Sequence, residues 1–130
     1  MQGKRFLHVE DDGDLRNFVG TVVRMEGGTM LVRENGRQGL LAIQQEGPFD
    51  LVIVDLGLPD VSGWELLRAL GSLYSLPEDL PVVIFTASAG EQDRERALAM
   101  GASDYLLKPL GAVELRDCLR RRLPRLPSEC

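Results

Sequence analysis

Residues 51–63 read LVIVDLGLPDVSG, and they contain the clearest indication of the fold in this sequence. A run of four apolar residues leads directly into Asp55, and Gly57, Pro59 and Gly63 then interrupt the pattern. A continuous apolar run of this length, bounded by turn residues, predicts a strand that is covered on both faces of a sheet. A single carboxylate at the end of such a strand calls for a chemical explanation.

Short apolar runs alternate with helical patterns on both sides of this stretch. The predicted strands are 6–9, 30–32, 51–54, 82–85 and 105–107. Apolar residues at helical spacing mark the intervening helices: Leu15, Phe18, Val19 and Val22; Leu40 and Ile43; Trp64, Leu67 and Leu70; and the segments 94–100 and 113–123. Five strand–helix alternations predict an α/β fold, a doubly wound five-stranded parallel sheet with five helices and right-handed crossovers.

Length and composition indicate one globular domain. The 130 residues are 44% hydrophobic and 27% charged, and Pro124 and Pro127 stop the last helix. We therefore predict a domain over 1–123, followed by a tail or the start of a linker over 124–130. Cys118 and Cys130 are lone thiols without metal-binding spacing, so neither zinc nor a disulfide framework is expected.

Charge and hydropathy exclude two classes of partner. The formal net charge of −5 argues against direct binding of nucleic acid by this domain. No apolar run approaches the roughly 20 residues that span a bilayer, and the N-terminus enters a strand too early to hold a signal peptide. We expect no membrane association and a cytoplasmic location.

Chemically active side chains follow several predicted strands. Glu10 and Asp11 follow the first strand, Asp55 the third, Thr86 the fourth and Lys108 the fifth. Because the carboxyl ends of parallel strands meet at one edge of the sheet, we expect these groups to converge there. Carboxylates crowded in this way repel one another unless a cation lies among them.

The cation that suits this set is Mg²⁺, a hard ion that takes oxygen ligands. Two carboxylates and a backbone carbonyl would leave coordination positions for a phosphoryl oxygen, and Lys108 and Thr86 could contact other phosphoryl oxygens. These are the requirements of phosphoryl transfer. Asp55 is then placed to be a nucleophile that forms an aspartyl phosphate.

The ordered set VEDD (9–12), VDLGLPDVSG (54–63), TA (86–87) and DYLLKP (104–109) resembles the bacterial response-regulator receiver domain, over nearly the whole chain. The resemblance implies a flavodoxin-like fold with strand order 2-1-3-4-5. It also implies a chemotaxis-regulator-like part in two-component signalling, with a sensor histidine kinase or a histidine phosphotransfer protein as the phosphodonor.

The resemblance assigns roles to individual residues. Asp55 would be the phosphoacceptor, Asp11 the principal Mg²⁺ ligand with Asp55, and Glu10 an accessory ligand through water. The Gly57 backbone carbonyl would complete the protein's share of the coordination. Lys108 would bind the phosphoryl group, and the Lys108–Pro109 peptide would be cis.

The resemblance also implies a switch. Thr86 and Ala87 would contact the phosphoryl group, and Tyr105 would turn inward as Thr86 moves. The face made by the fourth helix, fifth strand and fifth helix would then repack and select a downstream effector protein or a missing output domain. Whether phosphorylation produces a homodimer, and whether the domain stands alone, is left open by the sequence.

Three alternative functions compete with this interpretation. A phosphatase of the haloacid-dehalogenase type needs a second acid two residues after its aspartate, where this chain has Gly57. A flavin carrier needs a hydroxyl-rich phosphate loop, where this chain has EDDGD. A pseudo-receiver, a binding module that is never phosphorylated, is expected to lack the acceptor aspartate, the acidic pair or the lysine, and this chain has all of them. We therefore expect no enzymatic activity beyond self-phosphorylation and self-dephosphorylation at Asp55.

Overall fold

The computed structural model describes residues 1–123, and the predicted tail 124–130 lies outside the described residues. Strands and helices alternate along the chain. The strands are β1 (Arg5–Val9), β2 (Thr29–Arg33), β3 (Leu51–Val54), β4 (Val82–Thr86) and β5 (Asp104–Leu107). The helices are α1 (Gly13–Met25), α2 (Gly36–Glu46), α3 (Gly63–Leu73), α4 (Glu91–Ala99) and α5 (Ala112–Arg122).

All five strands pair in parallel, in the order β2-β1-β3-β4-β5. The predicted fold class and strand order are therefore confirmed. β3 lies at the centre of the sheet, and all four of its residues are buried, which agrees with its unbroken apolar sequence. Because β1 and β3 are neighbours, the groups that follow them are brought side by side.

Two apolar layers cover the sheet, one on each face. α1 and α5 pack on one face, where Phe6 and Ile53 lie. α2, α3 and α4 pack on the other, where Leu7 and Val54 lie. Side chains alternate between faces along a strand, so each strand supplies both layers. Burial of each large aliphatic side chain contributes about 1.5–3 kcal/mol, and the two layers hold the strand ends in fixed relation.

The largest difference between predicted and observed elements is the start of α4. The sequence pattern predicts this helix over 94–100, whereas it begins at Glu91. Its first turn consists of Glu91, Gln92 and Asp93, which offer no apolar periodicity, and the Gly90 cap makes no side-chain hydrogen bond. Acidic residues are favourable at a helix N-terminus because of the helix dipole. The first turn therefore forms although it has no apolar residues at helical spacing.

Within residues 1–123, no helix is long and apolar enough to cross a membrane.

Candidate functional site

The predicted site residues lie together at the carboxyl edge of the sheet. Glu10 and Asp11 follow β1, Asp55 follows β3, Thr86 ends β4 and Lys108 follows β5. Carboxylate oxygens of Glu10, Asp11 and Asp55 all lie within 4.8 Å of one another. The pairing of β1 with β3, rather than proximity along the chain, brings Asp55 to Glu10 and Asp11.

The three carboxylates differ in their exposure to solvent. The Glu10 side chain is only 1% exposed and that of Asp55 10% exposed, whereas Asp11 is exposed. Although Glu10 and Asp11 are adjacent in the chain just after β1, Glu10 is buried at the sheet edge and Asp11 faces solvent. The acidic group therefore has a buried floor, formed by Glu10 and Asp55, and an accessible rim at Asp11.

Lys108 lies directly on the buried floor. Its Nζ is 2.8 Å from Glu10 Oε1 and 2.9 Å from Asp55 Oδ2. The ammonium group balances part of the negative charge, and it lies where it could also reach an oxygen of a group attached to Asp55. The Lys108–Pro109 peptide bond is cis.

The pKa values reflect this arrangement. Burial raises the pKa of Glu10 to about 7; the charge of Asp55 adds to the shift, and Lys108 opposes it. Burial also acts to raise the pKa of Asp55, but hydrogen bonds from Lys108, the Gly57 N–H and the Thr86 hydroxyl leave that pKa below its usual value. Burial lowers the pKa of Lys108, yet its two carboxylate partners raise it overall. Asp55 is thus an ionised carboxylate at neutral pH.

The backbone around the acidic residues is held by the start of α1. Asp12 is the N-cap, and its Oδ1 accepts hydrogen bonds from the N–H groups of Asp14 (3.0 Å) and Leu15 (3.4 Å). Arg16, one turn later, donates from Nη1 to the backbone carbonyl of Glu10 at 2.7 Å. The sequence analysis did not identify Arg16, although an arginine one turn after an acidic cap could have suggested the contact.

Hydrogen bonds connect the other side of the site to β5. The Tyr105 side chain is buried, and its hydroxyl donates to the Ser88 carbonyl at 2.8 Å. The Ser88 N–H donates to Thr86 Oγ1 at 3.4 Å. The Thr86 hydroxyl also hydrogen-bonds to Asp55. Thr86 and Tyr105, the two residues proposed as a switch, therefore lie in one connected group of hydrogen bonds.

A cavity of about 390 Å³ opens beside Asp55. Gly57, Ala87 and Ser88 form part of its wall, and Trp64 forms another. The Arg96 guanidinium covers the Trp64 ring at 4.1 Å from its centroid. Asp93, which the sequence analysis did not identify, also lines the cavity. Its position in the first turn of α4, the helix that follows Thr86, could have indicated that it lies near the site.

A larger groove of about 590 Å³ runs along β2 and α2. Its charged side chains are largely paired with one another, as in the ion pairs Arg33–Glu46 and Arg16–Glu34. The smaller cavity beside Asp55 is the functional candidate, because Asp55 and the hydroxyl residues Thr86 and Ser88 line it, and Asp55 is the carboxylate that Lys108 contacts.

The acidic group fits Mg²⁺ by the chemistry of its donors. Glu10, Asp11 and Asp55 supply only oxygen, which this hard ion prefers, and the exposed rim leaves space for the waters that it keeps. Burial disfavours the charged form of Glu10, and a divalent cation would relieve that cost.

His8 is the remaining ionisable group near the site. It is fully buried in β1, and neither ring nitrogen has a hydrogen-bond partner among residues 1–123. Burial lowers its pKa to about 3, with Lys108 and Arg16 adding to the shift. His8 is therefore a packed, neutral strand histidine.

Comparisons with known proteins agree with this geometry. The sequence model described as "Response regulator receiver domain" matches residues 6–120. The chain is 40% identical over 119 residues to the KDP operon transcriptional regulatory protein KdpE of Escherichia coli, which covers 92% of this chain and 51% of KdpE. It is 35% identical to the phosphate regulon transcriptional regulatory protein PhoB of Pseudomonas aeruginosa, covering 96% of this chain and 54% of PhoB.

A solved structure shows the same architecture. The receiver domain protein (CheY-like) from Methanospirillum hungatei superposes with a TM-score of 0.84 at 26% identity, covering 93% of this chain and 94% of that one. The chain spans about half the length of KdpE and PhoB. On the family match, the sequence relatives and the fold, the chain belongs to the response-regulator receiver domain family.

Proposed function

We propose that this domain is a phosphorylation-dependent switch that accepts a phosphoryl group on Asp55. Receiver domains of this family serve phosphorylation-dependent signalling. The observation that carries the proposal for this chain is the contact of Lys108 Nζ with both Asp55 Oδ2 and Glu10 Oε1 at the carboxyl edge of the sheet. The phosphodonor would be a sensor histidine kinase or a histidine phosphotransfer protein.

The proposed reaction uses Asp55 as the nucleophile. A carboxylate oxygen attacks the phosphorus of a phosphohistidine, the new O–P bond forms, and the N–P bond to the donor breaks. The lowered pKa of Asp55 keeps the nucleophile ionised. Lys108 and the Thr86 hydroxyl are placed to bind phosphoryl oxygens, where fixed charges and donors stabilise the transferring group.

Mg²⁺ would be held by Asp11 and Asp55, with the Gly57 carbonyl as a further ligand and Glu10 acting through water. The ion would supply charge neutralisation for the phosphoryl oxygens. Asp11 is the most accessible of the three acids, so it would be the ligand most open to solvent.

The response is proposed to pass through Thr86 and Tyr105 to the surface formed by α4, β5 and α5. The bonds from Tyr105 to Ser88 and from Ser88 to Thr86 support this route. A downstream effector or an output domain would read that surface. The chain spans about half the length of KdpE and PhoB, and the remaining half of such a regulator is the proposed place of an output domain. We also propose a cytoplasmic location and no direct binding of nucleic acid by this domain.

A pseudo-receiver that binds partners without phosphorylation is the second candidate. Intact mass measured after treatment with acetyl phosphate and Mg²⁺ separates the two. We expect a phosphoryl adduct on the natural chain and none on Asp55→Ala, with Asp79→Ala, an aspartate remote from the site, behaving as the natural chain does. An unmodified natural chain that is correctly folded would favour the pseudo-receiver.

Mg²⁺ is expected to raise the melting temperature, because it binds the folded acidic group and not the unfolded chain. At 100 times its dissociation constant, a ligand of this kind stabilises by about 2.7 kcal/mol. Asp11→Ala should abolish the rise at little cost to the fold, since Asp11 is exposed. The measurement is thermal unfolding with and without Mg²⁺, and the control is Asp14→Ala, an exposed aspartate in α1. A rise that survives Asp11→Ala would exclude this ligand.

A further inference from the structure

We propose that Asp93 is the general base for hydrolysis of the phosphoryl group on Asp55, and that Ser88 positions it. This inference rests on the proposed function, because it requires that Asp55 be phosphorylated. It assigns to the first turn of α4 a direct chemical role, setting the lifetime of the phosphorylated state.

Asp93 and Asp55 line the same cavity. This cavity of about 390 Å³ also has Gly57, Thr86 and Ser88 in its wall. It is far larger than a phosphoryl group, and it has room for an attacking water, whose share of liquid volume is about 30 Å³. A second carboxylate in the wall of such a cavity can accept a proton from that water.

The Asp93 carboxylate is held in place by Ser88. Its Oδ2 accepts a hydrogen bond from Ser88 Oγ at 2.5 Å. That bond fixes one oxygen against the cavity wall and leaves Oδ1 to accept a hydrogen bond from a water. A charge-assisted hydrogen bond of this length is among the stronger ones in proteins, so the carboxylate is oriented rather than mobile.

Ser88 is itself tied to the phosphoryl-binding side of the site. Its N–H donates to Thr86 Oγ1 at 3.4 Å, and its carbonyl accepts from the Tyr105 hydroxyl at 2.8 Å. The base is therefore positioned relative to Thr86, which lies at the reaction centre. Positioning of this kind determines how much a proton acceptor contributes to a rate.

The side of Asp55 that faces the cavity is open. A Cβ placed on Gly57 would meet only Asp55 Oδ1, at 3.9 Å. Ser88 is small, so neither residue covers an acyl phosphate at Asp55. Water can then approach the phosphorus, and a base in the cavity wall can act on it.

In the proposed step, water displaces the Asp55 carboxylate from phosphorus. The water oxygen forms a bond to phosphorus while the bond from phosphorus to the Asp55 carboxylate oxygen breaks. One water proton passes to the Asp93 carboxylate, and the bonding electrons return to Asp55. The products are the Asp55 carboxylate and inorganic phosphate, and Asp93 then releases its proton to solvent.

The test is the half-life of the phosphorylated domain. The chain is phosphorylated with acetyl phosphate and Mg²⁺, the donor is removed, and the phosphorylated fraction is followed by intact mass. Asp93→Asn keeps the shape of the side chain and can still accept from Ser88, but it is a far weaker base. We expect the half-life of the phosphorylated variant to lengthen about tenfold or more, since general bases commonly contribute factors of about 10²–10⁴. The rate at which acetyl phosphate phosphorylates Asp55 should be unchanged.

Matched variants distinguish proton acceptance by Asp93 from a general effect of removing an acidic residue from α4. Glu91→Gln removes another acid from the first turn of α4, one that does not line the cavity, and should leave the half-life unchanged. Ser88→Ala should lengthen it by a smaller factor, and Ser88→Thr, which keeps the hydroxyl, should restore it.

Two outcomes overturn the inference in distinguishable ways. If Asp93→Asn is phosphorylated normally but loses its phosphoryl group at the rate of the natural chain or faster, Asp93 is not the base, and the proposed function stands. If the natural chain takes up no phosphoryl group, the proposed function fails and the inference fails with it.

Discussion

Gly63→Ala is expected to destabilise the domain by about 3 kcal/mol, at the upper end of the range for overpacking. A Cβ at this position would lie 2.2 Å from the Asp55 carbonyl oxygen and 2.6 Å from the Leu56 Cα. These are backbone atoms, which cannot swing away as a flexible side chain could. To relieve the clash, α3 must move away from the segment that carries Asp55, so Mg²⁺ binding should weaken as well.

The control lies in the same helix. Gly71 is exposed, and a Cβ there would meet only Leu76 Cδ1 at 3.9 Å. Gly71→Ala should therefore stabilise the domain by about 0.5–1 kcal/mol, the usual advantage of alanine within a helix. Chemical denaturation measures both values. Equal effects of the two substitutions would show that the close approach at Gly63 is not a constraint on the fold.

Lys108→Met is expected to cost about 3 kcal/mol at pH 8. The substitution retains an apolar stem but leaves Glu10 and Asp55 without their cation. Removing one partner of a buried pair costs about 3–5 kcal/mol, and the partial exposure of Lys108 places this case at the lower end. The control is Lys4→Met, since Lys4 is the chain's other lysine and forms no ion pair with a residue in 1–123.

The cost of Lys108→Met should shrink at pH 5. The folded pKa of Glu10, about 7, lies above its unfolded value. The folded state therefore binds the proton more tightly, and stability declines as pH rises through the window between those two values. At pH 5 Glu10 is protonated in the folded state, so less negative charge remains uncompensated. A loss of equal size at both pH values would mean that Lys108 acts mainly through packing.

A double substitution checks the same charge balance. Asp55→Asn removes one of the two carboxylates that Lys108 contacts, so it should recover part of the stability that Lys108→Met loses. Contacting residues commonly show coupling energies of about 0.5–3 kcal/mol. Additive effects would contradict a direct interaction between Lys108 and Asp55.

Much of the fold could be predicted from the sequence because it depends on local patterns. The apolar run before Asp55 is buried on both faces whatever its neighbours are, and its composition therefore predicts a central strand. The alternation of strands and helices then limits the architecture to a parallel sheet. Strand order was not accessible from these patterns and was inferred from the family resemblance, since pairing depends on contacts between distant segments.

The candidate site was predictable for the residues that directly follow strands, and less so for the rest. Asp55 and Lys108 stand at positions that any parallel sheet brings to one edge. Asp93 and Arg16 lie in helices, where a charged residue is ordinarily solvated, and only the packing of those helices directs them to the site.

Periodicity and chain direction are local properties, so they are enough to predict which elements form and which chemical groups reach the carboxyl edge of the sheet. Folding of the whole chain is needed to bury Glu10 while Asp11 stays exposed. It is also needed to bring Lys108 against two carboxylates and to place Ser88 against Asp93 in the cavity wall. These features depend on distances of a few ångströms between segments far apart in the chain. Such distances are set by the packing of both apolar layers at once, which no single segment encodes.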